Sequence, residues 1–165
     1  LKALCLTPIR PGALAAMTVE SFDARSRVLI VGKDKQGADR KALLPAATAK
    51  FFAEVAKGKQ PGAHLFDRGD GRPWDKDSWK KAIKAAVTAA ELPAATAYTL
   101  RHSVLTDMVS DGHDLMTVAT LAGTSVMMLQ EHYAHLQADR AKAALASLRI
   151  VHEDSGVKRT QRKAG

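Results

Sequence analysis

The sequence predicts an α+β fold that is mainly helical and contains one small antiparallel β-hairpin. Apolar residues recur at the three- and four-residue spacing of amphipathic helices along most of the chain. Residues 25–45 differ, because the apolar β run Val28–Val31 is followed by a glycine-containing turn and a return strand. A hydrophobic fraction of 46% in 165 residues indicates a globular domain with a sizeable core.

Two helices are predicted around this hairpin in the first part of the chain. One is expected to begin near Pro11, since proline suits the first helical turn. The hairpin turns at residues 33–37 and returns over Arg40–Leu44. A helix over residues 46–57 follows, and its inward-facing residues are Phe51, Phe52 and Val55.

Residues 58–74 are predicted to be loop, and residues 75–91 an amphipathic helix. The glycines of the loop lack the following lysine of a nucleotide-binding loop. The apolar face of the helix consists of Trp79, Ile83, Val87 and Ala90. A second face carries Lys76, Lys80 and Lys84. Such a stripe is either a solvated surface or a track for a phosphate backbone, and the pattern leaves both open.

Three short helices are predicted within residues 98–136. The first follows Tyr98 and stops at Gly112, because glycine suits a helix C-terminus. Its apolar positions are Leu100, Val104, Leu105 and Met108. The second begins near the N-cap Asp114 and ends before Gly123. It is expected to bury Leu115, Val118 and Leu121.

The third of these helices is capped by either Thr124 or Ser125, and one more helix follows it. The third helix carries Val126, Leu129 and Tyr133. The last helix is predicted over Ala138–Ile150, with Ala141, Leu145 and Leu148 on one side. Residues 152–165 are basic and are expected to form a disordered tail.

Composition restricts the class of partner. A formal net charge of +8 and a pI of about 9.8 favour a polyanion. Cys5 is the only cysteine, which excludes an intramolecular disulfide and a cysteine-rich zinc site. His132 and His135 lack a third ligand at clear spacing, so no metal is predicted. No apolar run reaches the length of a membrane span.

Two polar residues do not fit a plain helical core. Arg101 lies beside an apolar stripe, and Tyr133 lies between two histidines. An arginine can bind two phosphate oxygens at once, and a tyrosine hydroxyl can act as a covalent nucleophile. Together they indicate phosphoryl transfer on nucleic acid.

Three fragments in order carry a family resemblance. They are Leu100-Arg101-His102-Ser103, then Leu121-Ala122-Gly123-Thr124-Ser125, then His132-Tyr133-Ala134-His135-Leu136. Arg101 precedes Tyr133 by 32 residues, and Thr124 precedes it by nine. The set resembles the signature of the tyrosine recombinases, the phage-integrase family, over about residues 1–150. The resemblance implies a helical catalytic domain with a small antiparallel sheet over residues 1–151.

The resemblance also implies roles for individual residues. Tyr133 would be the nucleophile that forms a 3′-phosphotyrosine and frees a 5′-hydroxyl. Arg10 and Arg101 would clamp the phosphate, and Lys35 would protonate the leaving oxygen. No metal, cofactor or ATP is implied.

The first arginine of the family stands in a Thr-Gly-x-Arg-x-x-Glu-Leu segment. Thr7, Arg10 and Leu14 match that segment, whereas Pro8 replaces its glycine and Ala13 its glutamate. The loss of the carboxylate removes an expected support of the site.

The family lysine lies on a hairpin with the pattern Lys-x-Gly-x-x-Arg. Lys35, Gly37 and Arg40 fit this spacing, and Lys33 is the alternative if the register shifts. The residues expected to contact DNA are Lys33, Arg40, Lys76, Lys80 and Lys84.

Two positions depart from the family pattern. Tyr98 stands where a histidine usually precedes the second arginine, and Thr124 stands where histidine or tryptophan is usual. Each can donate one hydrogen bond to a phosphate, and neither accepts a proton readily near pH 7. We count both among the catalytic residues.

The acceptor of the Tyr133 proton is left open by the sequence. His132 and His135 are nearby candidates, although histidines at helix ends are commonly structural. His102 is expected to be buried and to support Arg101.

The family works as tetramers on paired DNA sites, so a homotetramer on double-stranded DNA is expected, with the isolated fragment a monomer. The chain opens without Met and is expected to be part of a longer protein in the bacterial cytoplasm.

Three alternatives stay open: a DNA-binding relative that no longer cuts, a type IB topoisomerase, and a basic helical module for RNA or protein.

Overall fold

The computed structural model describes residues 1–33 and 37–147, apart from the side chains of residues 137, 139 and 140. These residues form a mainly helical chain with a small antiparallel sheet, which confirms the predicted fold class. The elements in chain order are α1 (Lys2–Leu6), α2 (Pro11–Ala16), a 3₁₀ turn (Val19–Ser21), β1 (Phe22–Asp23), β2 (Val28–Lys33), β3 (Asp39–Leu43), α3 (Ala46–Ala56), α4 (Lys76–Ala89), α5 (Ala97–Ser110), α6 (Leu115–Ala122) and α7 (Val126–Ser147).

The predicted hairpin is present as β2 and β3, and a third strand pairs with its outer edge. The strand order is β1-β2-β3, and both pairs are antiparallel. Val28 pairs with Leu43, and the register becomes irregular between Ile30 and Lys33. Strand β1 was not predicted, since two residues are too short to show the alternation of a strand.

The core of the described residues consists of two clusters, and each joins elements that are distant in sequence. One joins the sheet to α3 through Leu29, Phe22 and Phe52, with the two phenyl rings 5.6 Å apart. The second lies between α5, α6 and α7 and contains Leu105, Val109, Val118, Leu129 and Tyr133. Ala90, predicted on the apolar face of α4, is exposed because the helix ends at Ala89.

Side chains set the ends of the later helices. The Thr96 hydroxyl accepts from the backbone N–H of Thr99 at 3.1 Å, so α5 starts at Ala97, just before Tyr98. The Asp114 carboxylate caps α6 as predicted, through the N–H of Thr117 at 2.8 Å.

Of the two proposed caps of the third helix, Ser125 is the one observed. Its hydroxyl oxygen accepts from the N–H of Met128 at 3.2 Å. The helix that follows, α7, consists of two helical segments joined by a kink, so the predicted division into a third helix and a last helix is confirmed, although the second segment begins before Ala138.

Helix α7 does contain one interruption, at Tyr133, whose φ of −122° and ψ of 17° are not helical. Beyond it, Ala141 and Leu145 are exposed. Leu148, Ile150 and the predicted tail at 152–165 lie outside the described residues.

Candidate active site

Helix α5 is the element on which the predicted site residues converge. It contacts α1, α2 and α4 on one side and α6 and α7 on the other. Arg101 is therefore enclosed between the α1–α2 segment and the end of α6, and the same helix presents His102 and Thr106 to Tyr133.

Arg101 is a buried arginine held by two backbone carbonyls. Its side chain is 7% exposed, Nη1 donates to the carbonyl of Pro8, and Nη2 donates to the carbonyl of Ala122 at 3.0 Å. These bonds offset the cost of burying a guanidinium and fix its plane. Because only the backbone oxygen of Pro8 is used, proline in place of the family glycine keeps this contact.

A second arginine lies close to the first. Burial lowers the pKa of Arg101, and the positive charge of Arg10 lowers it further. Arg10 is exposed and occupies the N-cap position of α2, with φ −62° and ψ 138°. Two guanidinium groups within electrostatic range of each other form a favourable place for an anion such as phosphate.

Tyr133 is a buried phenol in the second core cluster. It is 6% exposed and packs with Leu105 and Leu129. Burial raises the pKa of Tyr133 above its ordinary value, while a hydrogen bond from Thr106 and the charge of Arg101 act in the opposite direction. Burial therefore opposes ionisation of the Tyr133 phenol, whereas Thr106 and Arg101 favour it.

His102 provides the nitrogen nearest to this phenol among the contacts described. Its Nδ1 lies 3.0 Å from Tyr133 Oη, although the residues are 31 positions apart. His102 was expected to be a buried, hydrogen-bonded residue that supports Arg101. It does form a hydrogen bond, to Tyr133, but the predicted burial was wrong, because His102 is exposed. Consecutive helical residues point about 100° apart, so burying Arg101 turns His102 toward a different surface.

The other two histidines considered for this role, His132 and His135, are exposed on α7. One feature of the sequence could have indicated that His102 contacts Tyr133. It lies four residues before Thr106, so both side chains project from one face of α5 and can meet one partner.

Tyr98 and Thr124, which replace family histidines, lie at the edges of this site. Tyr98 is 55% exposed in the first turn of α5, near enough to Arg101 for its phenol to affect the pKa of that guanidinium. Thr124 is half-buried directly after α6, and its N–H donates to the carbonyl of Ala119 at 3.0 Å. Their catalytic roles stay predictions.

Of the two hairpin lysines considered for the catalytic role, the structure describes only Lys33. Lys35 lies outside the described residues. Lys33, the alternative, ends β2 with a 73% exposed side chain, and its Nζ lies 3.9 Å from Asp39 Oδ1. An exposed pair at that distance contributes little, so Lys33 is held weakly.

Arg40, predicted to contact DNA, makes three bonds inside the chain. Its guanidinium donates to the carbonyls of Val31 at 3.1 Å, Lys33 at 3.2 Å and Thr120 at 2.9 Å. It therefore joins the hairpin to α6, a structural role that the sequence did not indicate. Contact with DNA stays a prediction.

The lysine stripe of α4 faces a groove that also reaches the site. Lys76, Lys80 and Lys84 are exposed and line a groove of about 920 Å³ together with Gly12 and Tyr98. The helix is anchored at its start by Asp75, whose carboxylate accepts from two backbone N–H groups. The structure thus brings the predicted phosphate contacts and Tyr98 to one surface.

The fold and these contacts define a helical domain with an arginine pair and a buried tyrosine at one site. Residues 1–140 match the Phage integrase family, and the chain belongs to that family.

Its curated relatives are tyrosine recombinases about twice as long as the chain. It is 29% identical over 158 residues to the tyrosine recombinase XerC of Mycobacterium tuberculosis, an alignment covering 91% of this chain and 50% of the relative. It is 27% identical over 165 residues to the XerD of Pseudomonas putida, covering 94% and 53%. The chain thus spans about half the length of the curated relatives it matches.

Solved structures share the fold. The integrase of the Tn1549 transposon, in complex with circular intermediate DNA, aligns with a TM-score of 0.74 and 21% identity over 88% of this chain and 56% of that one. The catalytic domain of bacteriophage HP1 integrase aligns with a TM-score of 0.62 and 15% identity over 92% and 81%.

Within the described part of the chain, no helix is long and apolar enough to cross a membrane. The same part contains no group of three histidine, cysteine, aspartate or glutamate side chains placed to bind one metal ion.

Proposed function

We propose that residues 1–151 are the catalytic domain of a longer, site-specific DNA recombinase that cuts and rejoins double-stranded DNA through a 3′-phosphotyrosyl intermediate. The observation that carries this proposal is that Arg101 lies near enough to both Tyr133 and Arg10 for their charges to affect its pKa, and that the family motif residues thus share one region of the fold. The names of the relatives, recombinases and an integrase, support it.

The geometry supports the following reaction. The scissile phosphate binds to Arg10 and Arg101, which stabilise the charge on its non-bridging oxygens. The Tyr133 oxygen attacks phosphorus, and the bond to the 5′ oxygen of the next nucleotide breaks. Lys35, or Lys33, protonates that oxygen. The phosphotyrosine bond retains the energy of the broken linkage, so a new 5′-hydroxyl can displace Tyr133 without ATP.

DNA binding beyond the scissile phosphate depends on the α4 surface. Lys76, Lys80 and Lys84 line one groove with Tyr98, and a net charge of +8 attracts the polyanion. We expect the complete protein to act as a homotetramer on paired sites in the bacterial cytoplasm, and the isolated domain to be a monomer.

A second candidate is a DNA-binding relative that does not cut. Tyr98 and Thr124 favour it, since neither supplies the charge or the proton acceptor of the histidines they replace. The two candidates differ in one property, the formation of a covalent bond between protein and DNA.

That property is tested with a suicide substrate, a duplex nicked near the cleavage point so that the released 5′ fragment diffuses away. The complete protein and its own attachment site are used, and covalent adducts are resolved on a denaturing gel. The proposal expects an adduct from the wild type and none from Tyr133→Phe. DNA binding by both proteins without any adduct would support the non-cutting relative, and thermal melting would confirm that the variant is folded.

A further inference from the structure

The geometry points to His102 as the base that takes the Tyr133 proton during cleavage and returns it during rejoining. This inference rests on the proposed function. It is carried by the 3.0 Å separation of His102 Nδ1 from Tyr133 Oη. That distance is within the reach required of a general base acting on a hydroxyl proton.

The surroundings of the phenol favour this direction of transfer. His102 and Thr106 lie one helical turn apart on α5. His102 Nδ1 lies 3.0 Å from Tyr133 Oη, and the Thr106 hydroxyl lowers the pKa of Tyr133. When the Thr106 hydroxyl donates to Oη, the phenol proton is free to point at Nδ1. The tautomer with its proton on Nε2 then leaves an acceptor lone pair on Nδ1.

The reaction also needs such an acceptor. Tyr133 is 6% exposed, and burial makes the phenolate costly. Tyr98 and Thr124 do not accept a proton near pH 7. A neutral imidazole offers a ring nitrogen as the acceptor that a general base requires.

Exposure of His102 completes the path for the proton. Its side chain is solvent-accessible, so the imidazolium formed after transfer can exchange its second proton with water. In cleavage, the proton moves from Tyr133 Oη to Nδ1, the O–P bond forms and the P–O5′ bond breaks, while the hairpin lysine gives a proton to O5′. Rejoining reverses each of these transfers.

The test measures single-turnover adduct formation by the complete protein on the suicide substrate. His102→Gln and His102→Ala are compared with His113→Gln, which alters another exposed histidine. We expect the two His102 variants to react about 10²- to 10⁴-fold more slowly, the usual contribution of a general base, and His113→Gln to react like the wild type.

A chemical rescue separates proton transfer from packing. A fluorinated tyrosine at position 133 ionises at lower pH, so it should restore much of the rate lost in His102→Gln. A substrate with sulfur in place of the bridging 5′ oxygen needs no protonation of its leaving group. It should rescue a variant of the lysine acid and leave the His102 variants slow.

The outcomes distinguish this inference from the proposed function. Wild-type adduct formation with unchanged rates in both His102 variants would overturn the inference alone. A slow His102 variant that fluorotyrosine does not rescue would also overturn it, since the defect would then lie in packing. A folded, DNA-bound wild type that forms no adduct would contradict the proposed function. The role of His102 as a base would then be contradicted too, because there would be no cleavage for it to assist.

Discussion

The guanidinium group of Arg40 fills the space that a side chain on Gly123 would occupy. A Cβ built on Gly123 would stand 2.5 Å from Arg40 Nη1 and 2.8 Å from Nη2. The same Nη1 donates to the carbonyl of Thr120 at 2.9 Å. The β2–β3 hairpin therefore meets the end of α6 through an arginine that fits only against a residue without a side chain.

Replacing Gly123 should consequently disturb both the backbone and this contact. Gly123 has φ +67°, where an L-residue costs about 1–2 kcal/mol, and alanine would also displace Arg40. We expect Gly123→Ala to lower the free energy of unfolding by more than that backbone cost and to slow adduct formation. Urea unfolding and the suicide-substrate assay measure the two effects.

Gly58→Ala is the matched control for this change. Gly58 has φ +77° and nothing within 4 Å of an added Cβ, so it should show only the backbone cost. Equal destabilisation of the two variants would mean that the Arg40 contact contributes nothing to stability.

Arg40 itself can be tested for its two possible roles. Arg40→Met removes three hydrogen bonds to backbone carbonyls. A hydrogen bond to a charged group contributes about 1.5–3 kcal/mol to stability, and the contribution is smaller where solvent reaches the bond. We expect a loss of stability of about 1–3 kcal/mol with little change in the salt dependence of DNA affinity. A normal unfolding midpoint with a salt slope reduced by about one would instead identify Arg40 as a phosphate contact.

The lysines of α4 should influence affinity for DNA in a salt-dependent way. Because each neutralised phosphate adds about 0.9 to the slope of log K against log salt, Lys80→Ala with Lys84→Ala should flatten the slope by nearly two. Binding titrations at several salt concentrations measure it. Lys50→Ala with Lys57→Ala makes the same change in net charge on and beside α3, and a similar flattening there would show that total charge alone matters.

The raised pKa of Tyr133 predicts a stability difference at high pH. Above the ordinary value of 10.0 the unfolded chain releases the phenol proton while the folded chain retains it, so the unfolded state gains stability. The free energy of unfolding should fall as pH rises through the folded pKa, and Tyr133→Phe should lack this part of the loss. The wild type and the variant should therefore keep a constant difference below about pH 9 and diverge in favour of the variant above pH 10.

Urea unfolding of both proteins at a series of pH values measures this divergence. Tyr98→Phe removes an exposed phenol and serves as the control. A divergence of the same size in that variant would contradict the assigned cause, the burial of Tyr133.

Sequence patterns predicted local features well where one residue type determines the geometry. Asp114 caps α6, Gly123 ends it in a left-handed conformation, and proline opens α2. The motif residues Arg101 and Tyr133 do meet in the fold, with Arg10 nearby. Each of these features depends on short-range backbone preferences or on a fixed spacing, both of which a sequence displays.

Contacts between distant segments were the part that could not be predicted. The pairing of His102 with Tyr133 depends on how α5 and α7 cross, and the position of Arg40 on Thr120 spans 80 residues. The burial of Arg101 was also hidden, because its partners are the backbone carbonyls of Pro8 and Ala122, which every residue type possesses.

The last turn of α6 has a consequence for how this protein can vary during evolution. Arg40 binds the carbonyl of Thr120 and Arg101 that of Ala122, so two carbonyls of the last turn of α6 set the spacing between the hairpin and Arg101. Since both contacts use main-chain oxygens, exposed side chains of α6 such as Met116 can change without breaking them, whereas Val118 and Ala119 are fixed by the core. An inserted or deleted residue would rotate the turn by about 100° and shift it by about 1.5 Å. The length of this segment is thus constrained more tightly than the identity of its exposed side chains.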